Sequence, residues 1–403
     1  MANTPIIRFK GFTYDWEQRK LGEVFKQTQN FVNPSDDNIE LWSLTVEDGL
    51  TPKSERYNRE FLVKKDDNFK EVRPGDIVYN PMNMTLGAVG YNGMAKSVAV
   101  SGYYTTMVTR ENYDSYYINT WLKSPQAILL YKTYATGSLI EKQRVQFPTL
   151  SIIPVAFPNY VEQRKIGEFF SNLDNLITLH QRKCDETKTL KKYMLQKMFP
   201  KNGECFPEIR FAGFTDAWEQ RKCGDMTIEL SEYDNLQSGY PLLTSSRNGL
   251  MFQNEFRDKT STENEETMFS VVPYGKCTYR HMSDDDIFHF NINTIAEKGL
   301  VSREYPVFDA NEDCNLSFLI QYLNSSPDFT KFCSQRKLGG TRTRLYYKNL
   351  CEFSLMAPSK AEQDKIAAFL ERLDNLITLH QRKCDELKEV KKYMLQNMFP
   401  AKE

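Results

Sequence analysis

The fourteen residues LDNLITLHQRKCDE occur twice without a difference, at 173–186 and again at 373–386. The match extends without a gap to 162–200 and 362–400, where 29 of 39 positions agree. A repeat at a fixed spacing indicates internal duplication, and a duplicated chain builds one structural plan twice. Any fold of this chain must therefore contain two similar structural units.

A second pair of segments supports the duplication. IRFKGFTYDWEQRK begins at Ile7 and IRFAGFTDAWEQRK begins at Ile209, with 11 of 14 positions identical. The sequence therefore predicts two copies of one unit, at about 1–200 and 201–403. Each copy has an opening motif, a divergent middle at 21–157 or 223–357, and a closing segment, and 403 residues suffice for two domains.

Each closing segment has the pattern of one long amphipathic helix, because its apolar residues recur at helical spacing. A capping box is predicted at each start, with Asn159 and Glu162 in the first copy and Ser359 and Glu362 in the second. Pro200 and Pro400 mark the ends. A helix of this length is about 58 Å long at 1.5 Å per residue.

The apolar stripe of so long a helix needs a cover, and the other copy is the natural partner. We expect an intramolecular antiparallel pair in which facing residue numbers sum to about 560. That register brings His180 close to His380 in the seam. Two histidines alone make a poor metal site, so we interpret them as hydrogen-bonded seam residues.

The two middles have the composition of strands and loops, with short apolar runs broken by Gly, Asn, Pro and Asp. One helix is predicted in each, around 117–131 and 316–332. Weak correspondences remain, such as LTVEDGL at Leu44 with LTSSRNGL at Leu243, and Arg144 with Arg344. The middles are therefore expected to share a fold and to differ in surface.

The amino-acid composition restricts the class of protein but does not identify its function. Hydrophobic residues make up 40% and charged residues 26% of the chain, and no run of about 18 apolar residues occurs. A cytoplasmic protein with eight free cysteines and no membrane segment is expected. The net charge of -1 does not by itself indicate nucleic-acid binding, but one basic stretch is dense. It contains Lys331, Arg336, Lys337, Arg342, Arg344 and Lys348.

Catalytic motifs are missing from the sequence. GxxxxGK[ST], GxGxxG after a strand, HExxH and GxSxG do not occur. NPMN at Asn80 lacks the second proline and the aromatic of the NPPY motif of amino-methyltransferases. The three aspartates at 284–286 have no companion pattern for a metal and are interpreted as a solvated turn. The sequence thus predicts a binding protein and no enzyme.

The duplication suggests what is bound. A frame present twice offers the same surface twice, so its partner is expected in two copies. Divergent middles held at a fixed separation suit two different half-sites on DNA, which lie on one face of the duplex when they are about 34 Å apart. The combined site is then bipartite and asymmetric.

These motifs resemble those of the specificity subunit of type I restriction-modification systems. The resemblance rests on FxGFTxxWEQRKxGE at the head of each copy and on EQxKIxxFxxxLDNLITLHQRKCDExKxxKKYMLQxMFP at its close, and it covers the full chain. The implied fold class is α+β, a tandem pseudo-twofold repeat of two mixed α/β target recognition domains joined by two long antiparallel coiled-coil helices. The domains are placed at 1–158 and 201–358, and the helices at 159–200 and 359–403.

The resemblance also implies partners. Each recognition domain would read one half of a split sequence in double-stranded DNA, and the helix pair would set the spacing and dock two methylation subunits. Restriction subunits complete such complexes. No cofactor is expected on this chain, because S-adenosylmethionine, ATP and Mg belong to the partner subunits. The chain itself is expected to be non-catalytic.

The residues expected to contact DNA are loop arginines, lysines, asparagines and a few aromatics, since these residue types read base edges or hold phosphates. Arg144 and Arg344 are the strongest pair, because both occur at matching positions inside divergent loops. The full set is Arg56, Tyr57, Arg59, Asn80, Asn83, Lys142, Arg144, Arg247, Asn248, Tyr279, Arg280, His281, Arg336, Lys337, Arg342 and Arg344.

Two other functions remain open at this point. A DNA-binding regulator acting alone would need a more basic surface than this chain has, because phosphate neutralisation supplies much of the binding energy. A protein-binding scaffold would use the helix pair as a spacer and its binding would be insensitive to salt.

Overall fold

The computed structural model describes residues 4–34, 36–53, 68–137, 143–201, 204–256, 266–336 and 342–400. The chain forms two compact units. Unit 1 comprises residues 1–181 with 381–403, and unit 2 comprises residues 182–380. Each compact unit therefore combines parts of both sequence copies, which agrees with an antiparallel pairing of the two closing segments.

The described part of unit 1 contains eleven strands in four small sheets. The sheet orders are β2-β10-β7-β8, β3-β6-β9, β4-β5 and β1-β11, and every strand pair is antiparallel. The strands are β1 Glu17–Lys20, β2 Phe25–Thr28, β3 Phe31–Val32, β4 Trp42–Thr45, β5 Gly49–Pro52, β6 Phe69–Val72, β7 Ile77–Tyr79, β8 Val89–Tyr91, β9 Val98–Ser101, β10 Thr105–Thr109 and β11 Pro154–Phe157.

Unit 2 repeats this plan with the strand orders β13-β22-β18-β20, β14-β17-β21, β15-β16 and β12-β24, and adds the short pair β19-β23. The strands are β12 Glu219–Lys222, β13 Thr227–Glu229, β14 Tyr233–Asp234, β15 Leu243–Ser246, β16 Gly249–Phe252, β17 Phe269–Pro273, β18 Cys277–Tyr279, β19 Met282–Ser283, β20 Phe290–Ile292, β21 Lys298–Val301, β22 Val307–Ala310, β23 Thr343–Arg344 and β24 Ser354–Ala357. The tandem repeat and the mixed α/β content are thus confirmed.

Short helices fill the faces of these sheets. The α-helices are Leu21–Val24, Ser115–Leu122, Pro125–Tyr134, Phe147–Ser151, Gln253–Phe256, Leu316–Ser325, Pro327–Ser334 and Tyr347–Leu350, and the 3-10 helices are Met84–Leu86, Cys223–Asp225 and Leu236–Ser238. The prediction of one helix in each middle is wrong, because each is split in two. Ser124 and Ser326 cap the second helix with their side chains, and the following proline cannot continue the preceding helix.

The closing segments form the first long helix, Tyr160–Lys197, and the second long helix, Lys360–Asn397, each of 38 residues. Asn159 caps the first as predicted, since its Oδ1 accepts from the Glu162 amide at 3.0 Å. The reciprocal half of the capping box does not form. Arg8 binds the Glu162 carboxylate instead, with Nε to Oε1 at 2.7 Å and Nη2 to Oε2 at 2.8 Å.

Arg210 binds Glu362 in unit 2 with the same two distances, 2.7 and 2.8 Å. The side chains of Glu162 and Glu362 are 0% and 1% exposed. In each unit the opening motif is therefore fixed to the start of a long helix by a bidentate, buried ion pair.

Inside each unit, segments of the two long helices pack together and run antiparallel. In unit 1, Lys391 Nζ lies 2.5 Å from Asp174 Oδ1, and Cys384 Sγ lies 3.9 Å from the Ile177 carbonyl oxygen. The partner's residue number falls as the first helix advances, which defines the direction. In unit 2, Lys191 contacts Asp374 at 2.6 Å and Cys184 contacts Ile377 at 3.8 Å. His180 and His380 belong to different units, so their approach stays a prediction.

The end of each long helix closes the core of a unit. In unit 1 the Ile7 amide donates to the Asn397 carbonyl at 2.9 Å, and Phe399 packs against buried Trp16 with ring centroids 6.5 Å apart. In unit 2 the Ile209 amide donates to Lys197 at 2.9 Å, and Phe199 packs against Trp218 at 6.1 Å. The opening motif and the helix end thus form one joint that occurs twice.

Within the described part of the chain none of the eight cysteines forms a disulfide bond, and six of them are buried. The described ranges contain no group of three or more His, Cys, Asp or Glu side chains able to hold a metal ion. No helix within them is long and apolar enough to span a membrane.

Candidate nucleic-acid interface

Arg144 and Arg344 occupy equivalent places in the two units. The Arg144 backbone pairs with Thr136 in an antiparallel bridge, and the next amide, of Val145, donates to the Pro81 carbonyl at 2.9 Å. Arg344 lies in β23 opposite Met282, and the Leu345 amide donates to the His281 carbonyl at 2.8 Å. In both units the arginine side chain is exposed while its neighbour is buried. The predicted correspondence of these two arginines therefore has a structural basis.

In unit 1, Arg144 lies beside the loop that follows β7. Asn80 shapes this loop, because its Oδ1 accepts from the Met82 amide at 3.0 Å. The Asn83 carbonyl accepts from the Leu86 amide at 3.0 Å and the Ala88 amide at 3.1 Å, and the Asn83 side chain is exposed. Two amide-bearing residues and one arginine thus belong to neighbouring segments, and amides and guanidinium groups are the groups that read base edges.

In unit 2, the equivalent region holds more charge. Arg247 lies at the tip of the β15–β16 hairpin, and its Nη2 donates to Asp285 Oδ2 at 2.6 Å. Arg342 Nε donates to Asp284 Oδ1 at 2.7 Å. Both arginines remain largely exposed, with 67% and 54% of their side-chain surface accessible. Asn248 and Arg280 are exposed beside them.

The aspartates at 284–286 were predicted to be a solvated turn, and the structure gives them partners. Besides Arg247, Asp285 accepts from the Ser283 hydroxyl at 2.7 Å, and this bond holds the pKa of Asp285 below its ordinary value. Asp286 accepts from the hydroxyl of Thr343. The contacts with Arg247, Arg342 and Thr343 join residues 38 to 58 positions apart in the sequence, so no local pattern could reveal them.

Three candidates lie in places other than those expected. Tyr279 is fully buried, its ring centroid lies 4.6 Å from that of Phe290 in a tilted arrangement, and burial raises its pKa. Its side chain has no accessible surface with which to contact DNA, because all three residues of β18 are buried and exposure begins only at the next residue, Arg280. His281 is 3% exposed, and burial lowers its pKa. Its side chain is therefore also part of the interior.

Arg336 is only partly available. Its guanidinium stacks over the Phe332 ring at 3.6 Å and pairs with Glu352 at 2.6 Å, leaving 28% of the side chain exposed. These contacts give it a structural role at the end of a helix. Five further candidates, Arg56, Tyr57, Arg59, Lys142 and Lys337, lie outside the described residues.

Comparisons with known proteins agree with the motifs. The family model described as "Type I restriction modification DNA specificity domain" matches residues 14–189 and 289–389. The Type I restriction enzyme MjaVIII specificity subunit of Methanocaldococcus jannaschii is 22% identical over 427 residues, covering 96% of this chain and 93% of that protein.

Solved structures are similar over the whole length. The S subunit of a type I restriction-modification system from M. genitalium has a TM-score of 0.66 at 12% identity and covers 99% of this chain and 100% of that one. The HsdS subunit from Thermoanaerobacter tengcongensis has a TM-score of 0.44 at 16% identity, covering 99% of both chains. At 12% identity, the similarity to the M. genitalium subunit shows a shared fold and nothing more. Because the family model matches more than half of the residues, the chain belongs to the family of type I restriction modification DNA specificity domains.

Proposed function

We propose that this chain is the non-catalytic subunit that selects DNA for a type I restriction-modification complex, with each unit reading one half of a bipartite, asymmetric site. The observation that carries the proposal is the contrast within each unit. The joint of opening motif and long helix is the same in both, whereas the exposed loops near Arg144 and Arg344 differ in sequence and charge. Equal frames with unequal loops suit the reading of two different half-sites.

The recognition domains are proposed to be residues 1–158 and 201–358, carried by helices at 159–200 and 359–403. The candidate contacts that are both described and exposed are Asn83, Arg144, Arg247, Asn248, Arg280, Arg342 and Arg344. Asn80 is half-buried. Guanidinium and amide groups form bidentate hydrogen bonds to guanine and adenine edges in the major groove. The same exposed arginines also supply positive charge for phosphates.

The long helices are proposed to set the half-site spacing and to dock methylation subunits. Some apolar side chains of the long helices are buried where the two helices pack together. Other apolar side chains on the same helices remain exposed in each unit. In unit 1 these are Leu176, Leu179, Val390 and Tyr393, exposed by 43%, 44%, 45% and 57%. In unit 2 they are Leu376, Leu379, Leu190 and Tyr193, exposed by 38%, 50%, 42% and 48%.

These two apolar sets occupy the same repeat positions, so a partner that fits one also fits the other. Two copies of one methylation subunit are the occupants we propose, with S-adenosylmethionine on those subunits and ATP and Mg on restriction subunits. Leu176→Asp with Leu376→Asp should abolish co-purification of the methylation subunit, because a charge replaces apolar contact area. Each single variant should leave one copy bound. Unchanged stoichiometry in the double variant would exclude this surface.

The direct test is sequencing of DNA modification in a host that expresses this chain with its methylation subunit, compared with the methylation subunit alone. A new split, asymmetric adenine-methylation motif is expected. Replacing residues 21–157 by the middle of a relative should change one half of that motif only. If both subunits associate and no motif appears, the chain is a regulator or a scaffold.

Inserting four residues, about one turn, into a long helix tests the ruler. The spacer between half-sites should change, or assembly should stop. An unchanged spacer with full methylation would remove the helix pair as the determinant of spacing.

A further inference from the structure

The turn at residues 284–286, here called the acidic turn, lies within a cluster of arginines. Each of its three carboxylates contacts a different side chain: Asp285 binds Arg247 at 2.6 Å, Asp284 binds Arg342 at 2.7 Å, and Asp286 accepts from the Thr343 hydroxyl. Arg247 comes from the β15–β16 hairpin and Arg342 immediately precedes β23. One turn therefore connects two loops that are distant in sequence.

Stability does not account for this arrangement. The side chains of Arg247 and Asp285 are 67% and 38% exposed, and those of Arg342 and Asp284 are 54% and 63% exposed. Exposed ion pairs of this kind stabilise a fold very little. For a surface that meets DNA they have an electrostatic cost as well, because three carboxylates repel phosphates. Some other property must favour them.

Orientation is that property. A free arginine samples many rotamers, and fixing it at an interface costs binding free energy. A guanidinium has five N–H donors, so one donated to a carboxylate leaves others for a base edge. Asp285 is itself fixed, because it accepts from the Ser283 hydroxyl at 2.7 Å and from the Ile287 amide at 3.4 Å. The Asp285 carboxylate therefore holds Arg247 in one orientation.

We propose that Asp285 and Asp284 are positioning residues that orient Arg247 and Arg342 toward base edges of the half-site read by unit 2, while their charge disfavours unrelated DNA. The inference rests on the proposed function, since it concerns how that half-site is read. Guanine is the base that suits an oriented guanidinium, through its O6 and N7 atoms.

Unit 1 lacks this device among its described residues. The loop that corresponds to the acidic turn, Met82–Leu86, contains no acid, and the hairpin that corresponds to β15–β16 has Glu47 and Asp48 at its tip in place of Arg247 and Asn248. Neither of those acids forms a salt bridge within the described ranges. The positioning therefore belongs to one half-site only.

Asp285→Asn separates the two explanations, because asparagine still accepts from Ser283 and Ile287 but carries no charge. If the turn only repelled phosphates, the variant would bind every DNA more tightly. If it positions Arg247, the variant binds unrelated DNA as tightly or more tightly and loses about tenfold in affinity for the intact site, which corresponds to about 1.4 kcal/mol. The specificity ratio then falls.

The measurement uses the chain in complex with its methylation subunit. Binding is measured on three duplexes: the intact split site, the site with the unit 2 half altered, and unrelated DNA. Glu297→Gln is the matched control, because this exposed acid follows the other end of β20 and its removal changes net charge equally. We expect the control to affect the three duplexes alike.

A double-mutant cycle with Arg247→Ala tests the coupling. In the Arg247→Ala background, Asp285→Asn should cause no further loss of specificity, because the residue to be positioned is gone. Arg247→Lys retains a charge but loses the planar fork, so it should lose specificity as well. Persistence of the unit 1 half of the methylation motif in each variant shows that the complex is folded and assembled.

Two results would overturn the inference. One is tighter binding of Asp285→Asn to all three duplexes, and the other is an equal loss of specificity from Asp285→Asn with and without Arg247. Failure of the proposed function has a different signature, since the unaltered chain would then direct no split methylation motif at all.

Discussion

The loops around Arg144 and Arg344 rest on the same backbone contact and carry different charges. Val145 bonds to the Pro81 carbonyl in unit 1 and Leu345 bonds to the His281 carbonyl in unit 2, at 2.9 and 2.8 Å. Around Arg144 the neighbouring loop is neutral. Around Arg344 four ionised side chains form two ion pairs.

The comparison separates what holds a loop from what the loop presents. Main-chain hydrogen bonds position both arginines and do not depend on side-chain identity, so the side chains around them can vary without loss of the fold. The buried joint at the opening motif shows the opposite behaviour, because its chemistry resides in side chains that are identical in both units. The two copies therefore differ at the loops and keep the same ion pair and the same aromatic contact at the joint.

Removing the ion pair of the joint should lower stability more than any other substitution considered, and by the same amount in both units. Arg8→Ala should destabilise unit 1 and Arg210→Ala should destabilise unit 2, each by about 3–5 kcal/mol, because a buried carboxylate loses its bidentate ion-pair partner. Hydrogen exchange resolved by peptide measures each unit separately. Arg164→Ala is the control, since it removes an exposed i,i+4 pair with Glu168 and should cost about 0.5 kcal/mol or less. Equal effects of Arg8→Ala and Arg164→Ala would contradict the assignment.

Substitutions in the loops should have a smaller effect, and each should weaken DNA binding through one half-site only. Arg144→Ala should weaken binding through one half-site and Arg344→Ala through the other, each by about 1–3 kcal/mol if the arginine reads a guanine. Specificity should relax at one position in each case. Titrations on duplexes altered in either half measure this. Uniform weakening on all sequences would instead identify a phosphate contact.

Sequence alone predicted the frame, because its evidence is local. Helical spacing, the proline ends and the exact repeat gave both long helices, whose observed bounds are Tyr160–Lys197 and Lys360–Asn397. The antiparallel register was also close: Cys184 contacts Ile377, one residue from the predicted partner. The Asn159 cap follows from the same kind of pattern, since an N-cap is set by residues within one turn.

The remaining features depend on contacts that sequence spacing does not encode. Arg8 meets Glu162 across 154 positions, which replaced half of the predicted capping box. The helix break at Ser326 was readable from the serine–proline pair and was missed. Burial of Tyr279 follows from the place of β18 inside its sheet, where all three residues of the strand are buried, and a run of three residues does not reveal that place in the sequence.

Tyr279 and Arg280 sharpen the comparison between core and surface, because the last residue of β18 is buried and the next residue in the chain is exposed. Its hydroxyl has no hydrogen-bond partner among the described residues, so Tyr279→Phe should leave stability unchanged or raise it by up to about 1 kcal/mol. DNA affinity should not change. Its exposed neighbour is the matched variant: Arg280→Ala should weaken DNA binding with little effect on stability. Thermal unfolding and binding of both variants decide the point, and lower DNA affinity in Tyr279→Phe would restore it as a contact.

The smallest expected effect is a pH dependence confined to unit 2. Burial lowers the pKa of His281 below the ordinary 6.5, with Arg344 and Arg280 acting in the same direction and Glu304 opposing. The unfolded chain then binds a proton at a pH where the folded unit does not, so unit 2 loses stability as pH falls below about 6.5. Unit 1 has Pro81 at this position and no histidine inside its middle.

His281→Gln should therefore flatten the stability of unit 2 between about pH 7 and 5, while unit 1 is unchanged. The residual slope comes from His289, whose pKa burial also lowers, and His281→Gln with His289→Gln should remove it. Hydrogen exchange at several pH values measures both units in one sample, so carboxylates common to the two frames cancel in the difference. An equal slope in the two units before substitution would show that the buried histidines do not distinguish them.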